Sequence, residues 1–104
     1  MVGYEQIRKG LVNYINRDIV PLAPKAVGIG IAAFAPVVAE AKLKELLASP
    51  LLNGTGLVDG NSVDIDAAMR LLKPAAEGKW PVEMFGFTFT ESDLDKLYRY
   101  IKEA

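Results

Sequence analysis

The stretch AVGIGIAAFAPVVA, residues 26–39, decides how this chain folds: fourteen consecutive positions carry no charge, yet two glycines and a proline interrupt what would otherwise be an easy helix. Its spacing is helical. Gly28, Ala32, Ala35 and Ala39 recur at intervals of four, three and four, forming a seam of small residues along one face. Val27, Ile31, Phe34 and Val38 repeat the same intervals with large side chains, so the segment is apolar nearly all round, the pattern of a central, buried helix. Each interior glycine costs about 1 kcal/mol against alanine and Pro36 about 3 kcal/mol, because it removes the hydrogen bond to the Ala32 carbonyl. Burial of Val27, Ile29, Ile31, Phe34, Val37 and Val38 offers roughly 9–18 kcal/mol before chain entropy is charged, which outweighs the poor propensity.

Two other readings of the stretch are weaker. Extended back to Ile19 it becomes a 21-residue run, residues 19–39, with Lys25 its only charge. That nearly meets the length of a membrane span. Its apolar residues contribute about −3 to −5 kcal/mol to insertion, against a cost of about 2.5–3.5 kcal/mol for the lysine. Three prolines and two glycines further weaken a helix that must satisfy its own backbone in lipid. The uncharged part is about 21 Å long, short of a hydrocarbon core of about 30 Å. Gly28, Gly30 and Ala33 also fit G-x-G-x-x-A, but the prolines of PLAPKAV stand where a dinucleotide-binding fold needs a central strand, and no repeated βα pattern follows.

Outward from this stretch the elements follow in order. Tyr4, Ile7, Leu11, Tyr14 and Ile15 share a face and predict a first helix from about Tyr4 to Val20, ended by Pro21 and Pro24. Pro24 suits the first turn of the second helix, which continues through AEAKLKELLAS to Pro50, with Leu43, Leu46 and Leu47 inward, Glu40 and Lys44 paired outside, and a kink near Pro36. The glycine-rich LLNGTGLVDGNSVDIDAA reads as a loop holding a small hairpin around Asp59 and Gly60. Asp64 caps a third helix with Ile65, Met69 and Leu72 on its inner face, and Pro74 is placed to end or kink it. VEMFGFTFT alternates as a half-buried strand with Phe85, Phe87 and Phe89 on one side. Thr90, with Asp93 three residues on, caps a last helix whose inner stripe is Leu94, Leu97, Tyr98 and Ile101. The expected fold is a single α+β domain over residues 1–104, mostly helical, with about four helices around a central apolar helix and a small two- or three-stranded sheet near residues 57–65 and 82–90.

Composition narrows function by exclusion. The chain has 104 residues, 51% hydrophobic and 24% charged, enough for one core without metal or disulfide support. Twelve basic and thirteen acidic residues give a net charge of −1, with no basic block of the kind nucleic acid needs. Cysteine and histidine are both absent. Thiol chemistry, thiolate metal sites and the commonest general base are therefore excluded. The first residues, MVGYEQIRKG, lack the apolar region of a signal peptide, and cytoplasmic location is the expectation. DGNSVDID offers oxygens at Asp59, Asn61, Asp64 and Asp66, but Val63, Asp64 and Arg70 break the EF-hand register; no metal or cofactor is expected. Glu83 with Glu91 or Asp93 is the nearest approach to an acid–base pair, and nothing in the sequence fixes their separation.

What remains is association. Trp80, Phe85, Phe87 and Phe89 crowd into ten residues around a strand with few partners, and an unpaired edge invites pairing, either with the 57–65 region or with another chain. The seam of Gly28, Ala32, Ala35 and Ala39 can likewise receive a helix of this chain or of a symmetry mate. Together with Met84 these residues make the candidate interaction surface, with no catalytic or metal-binding residue assigned. The reading is a small non-catalytic assembly or accessory protein, self-associating or bound to a protein partner, and of a kind that suits viral or mobile-element gene sets. Its rivals are a membrane-surface or membrane-inserting protein using residues 19–39, and a small enzyme that needs neither metal nor cysteine.

Overall fold

A computed structural model describes residues 1–49, 52, 54–76, 79–84 and 87–104; for Gly28, Ala75, Ala76, 82–84 and 87 it describes the backbone alone. The fold is mostly helical α+β, as the patterning predicts. Its order is β1 (Val2–Gly3), α1 (Tyr4–Tyr14), a π-helical turn (Ile15–Ile19) running into a 3-10 turn (Val20–Leu22), α2 (Lys25–Leu47), β2 (Val58–Asp59), β3 (Ser62–Val63), α3 (Ile65–Ala76), β4 (Val82–Met84), β5 (Phe87–Phe89) and α4 (Glu91–Glu103).

The helix signals in the sequence act as read. Ile7, Leu11 and Tyr14 are buried along α1 and Ile15 at the start of the π-helical turn, which continues the first helix in place of the α-helix expected to Val20, and Tyr4 is half-buried beside them. The Asp64 carboxylate accepts from the Ala67 amide at 3.1 Å, capping α3, and Ile65, Met69 and Leu72 lie inside. At α4 the capping box closes in both directions: the Asp93 amide donates to the Thr90 hydroxyl at 3.2 Å, and the Thr90 amide donates to the Asp93 carboxylate at 3.0 Å. Two orphan amide donors are thereby satisfied by one pair of side chains. Pro74 does not end α3, which runs on to Ala76 with the proline inside it. Glu40 and Lys44 pair on the outer side of α2 at 3.7 Å.

The core is organised by α1, which packs most extensively on α4 and next on α2. Gly10 makes the first of these contacts possible. A Cβ on Gly10 would lie 2.5 Å from the Ile101 Cα, so the two helix backbones touch there. Gln6 fastens the same junction, its side-chain amide donating to the Ile101 carbonyl at 3.0 Å.

The strands differ from expectation in arrangement. β1, β3 and β2 form a three-stranded antiparallel sheet in that order, with Val2 opposite Val63 and Val58 opposite Val63. The N-terminal strand, which carries no strand signal, thus completes the predicted 58–63 hairpin. Gly60, at φ 60, takes the left-handed conformation in its turn. The 82–90 segment joins neither this sheet nor a single long strand. It folds back on itself, Val82 opposite Phe89 and Met84 opposite Phe87. A lone strand of that length would leave every ladder group without a partner, and the hairpin pairs those on the facing edges of its two strands. The Trp80–Pro81 peptide is cis.

Burial along α2 departs furthest from the reading of the sequence. Ala35, Ala39 and Leu43 are fully buried and Leu46 nearly so, but Val27, Ile29, Phe34 and Val37 are exposed and Ile31 and Val38 only half-buried. The helix is a spine of the core only in its C-terminal half. Its 23 residues span about 34 Å in a molecule of 41 × 31 × 22 Å, so the other elements are too short to cover it from end to end.

Candidate interaction surface

Apart from Met1, the exposed large apolar side chains among the described residues lie on the first thirteen residues of α2 and the turn before it: Leu22 at 87%, Val27 at 54%, Ile29 at 65%, Phe34 at 62% and Val37 at 65%. Local sequence explains why they project. Pro21 and Pro24 bring the chain out of the α1 layer and reverse it, and no charged residue occurs between Lys25 and Glu40 to give the helix a polar side. Soluble monomers rarely leave neighbouring apolar groups of this size uncovered. By length and composition α2 is also able to cross a membrane.

The residues singled out from the sequence divide between core and surface. Ala35 and Ala39 of the small-residue seam face inward and are buried; Ala32 is exposed, and the surroundings of Gly28 lie outside the described residues. Phe89 is wholly buried, its ring 5.4 Å from that of Tyr14. Trp80 is half-buried against the core. Met84 and Phe87 face each other in the hairpin register, their side chains lying outside the description, as does the whole of Phe85. The aromatic cluster is therefore partly core, while Phe34, Ile29 and Val37, which the patterning assigned to the interior, are at the surface. No spacing signal would have placed them there, because a helix without charge on any side reads as buried whether or not the chain has surface enough to cover it.

The polar side chains have local uses. Asp93 is held in the capping box and Asp64 in the α3 cap. Asp66 accepts from the Tyr98 hydroxyl and from Lys102 at 2.9 Å, an arrangement that ties α3 to α4. These two bonds hold the Asp66 carboxyl below its ordinary range and, reciprocally, hold the Tyr98 phenol and the Lys102 ammonium above theirs. A second cluster lines a groove of about 310 Å³ between the π-helical turn and α4. There Lys96 pairs with Asp18 at 4.0 Å, the Arg17 guanidinium lies 5.7 Å from the centre of the Tyr100 ring, and the Asp18 hydrogen bond raises the Tyr100 phenol. Its lining sets three cations, Arg17, Lys96 and Arg99, against two acids, Asp18 and Glu103. Among the described residues no group of three acidic side chains stands together as a metal site.

The chain matches no known family model, no curated protein and no solved structure, so the geometry above is what bears on function.

Proposed function

We propose that this protein is a small non-catalytic interaction module, cytoplasmic, whose docking surface is the uncovered apolar half of α2 and whose natural cover is protein. The observation that carries the reading is the exposure of Ile29, Phe34 and Val37, each more than 60% accessible on one helix. Covering such side chains is worth roughly 1.5–3 kcal/mol apiece, ample to drive association once a few of them are buried together. Protein is favoured over lipid for two reasons. A helix that lies in a membrane surface needs a basic polar face opposite its apolar one, and residues 26–39 have none. A spanning helix would have to draw Glu40, Lys42, Lys44 and Glu45 towards the bilayer, together with Leu43 and Leu46 of the core.

The test compares the chain with its Phe34→Asp variant in extract of the source cells by size-exclusion chromatography. The native protein should elute well above its 11.3 kDa mass and the variant near it. Identical elution of the two at monomer size would defeat the proposal. Flotation of the native protein with liposomes would transfer the surface to the membrane reading.

A further inference from the structure

We infer that the partner covering α2 is a second copy of the same chain, laid antiparallel across it about a two-fold axis between Ala32 and Ala33. The inference rests on the reading just given and names its partner.

The pattern along α2 is the same read from either end. On one edge of the exposed band stand Lys25, Ile29, Pro36 and Glu40; on the other stand Val27, Ile31, Phe34 and Val38. A two-fold axis at position 32.5 brings residue i opposite residue 65 − i of the other copy, and in such an isologous contact each edge meets itself. Val27 then meets Val38, Ile31 meets Phe34, and Ile29 meets Pro36. At both ends of the apolar run Lys25 meets Glu40, cation against anion. Between the edges lie Ala26, Gly30, Ala33 and Val37; the first three are small, and the Val37 of each copy falls opposite the gap between Ala26 and Gly30 of the other, so the two helix axes approach to about 8–10 Å. Nothing lies within 4 Å of where a Gly30 Cβ would be, so that side of the helix is open.

The charges discriminate between occupants. Lys25 sits in the first turn of α2, where the helix dipole disfavours a cation, and it has no ion-pair partner among the described residues. Glu40, paired with Lys44 at 3.7 Å, keeps 46% of its side chain exposed and available. The two are fifteen residues apart, about 22 Å, which matches the apolar length between them and falls short of a bilayer core of about 30 Å. A copy running the opposite way supplies an acid at the dipole's positive end, as well as apolar cover of equal length.

The experiment uses purified full-length chain in analytical ultracentrifugation. The native protein should be a dimer, and Lys25→Glu and Glu40→Lys should each weaken it by about tenfold or more, since each variant sets like charges together at both ends. The decisive sample is an equimolar mixture of the two variants: every contact in their heterodimer is again opposite in sign, and dimer should return. Lys25→Glu places an acid in the first helical turn, where it supports the fold, so its effect cannot be blamed on unfolding. As a check on direction, Ala33→Cys should oxidise readily to a disulfide-linked dimer. Ile29→Cys, with its mate about 10 Å away along the axis, should not. A purified native chain that stays monomeric at high concentration overturns the inference, and a large species in extract alongside it would leave the broader reading standing with a different protein as partner. A dimer indifferent to both reversals, or one the mixture fails to restore, also overturns it.

Discussion

Two phenylalanines show how far a residue's environment governs what it does here. Phe89 is wholly buried against Tyr14, and Phe89→Ala should cost about 3–5 kcal/mol, enough to unfold most of a small domain, as urea denaturation would report. Phe34, 62% exposed, should accept Asp with a change in monomer stability of about 0.5 kcal/mol or less while losing its partner. Gly10 is decided by contact at the same scale. Alanine gains about 1 kcal/mol of helix propensity, but its Cβ would stand 2.5 Å from the Ile101 Cα, and separating the two backbones costs about 1–3 kcal/mol. Gly10→Ala should therefore destabilise on balance, lowering the melting temperature by about 4–8 °C for each kcal/mol lost. A melting temperature at or above that of the native chain would show that α1 and α4 are less tightly apposed than their backbones indicate.

Among the elements, those with local signals were legible and those needing distant partners were not. Thr90 with Asp93 and Asp64 with Ala67 announce helix starts because a cap is satisfied within three residues of itself. β1 has no such mark: two residues become a strand only because β3, sixty positions away, offers its free edge. The same limit hid the link between α3 and α4, where Asp66 meets Tyr98 and Lys102. That link makes a prediction in pH. The Asp66 carboxyl is held down chiefly by the Tyr98 hydrogen bond and next by Lys102, so its contribution is present above the ordinary aspartate value near 3.8 and fades as pH falls through the depressed one. Asp66→Asn should thus lower the denaturation midpoint at neutral pH and flatten its decline below pH about 4 relative to the native chain. Parallel acid limbs for the two proteins would remove Asp66 as a fastening of α3.

For the whole molecule, periodicity gave the helices and their inner faces, and α2 marks where it stopped informing. A helix apolar on every side satisfies the sequence criterion for a buried spine, yet whether 104 residues include enough other surface to bury it is a question of area that no spacing answers. Here α1, the π-helical turn and the 3-10 turn pack against one side of α2, and most of its N-terminal half is left uncovered. A chain completed from outside has a stability that depends on how much of it is present. For a dimer that unfolds to separated chains, each tenfold rise in concentration adds about 1.4 kcal/mol per dimer, and an unfolding entropy of about 2.1 cal/mol/K per residue over two chains turns this into about 3 °C. Calorimetry over a hundredfold range should therefore raise the melting temperature of the native chain by about 6 °C and leave Phe34→Asp unmoved. A flat native series would mean that the purified chain folds and melts alone, its apolar tip open to water.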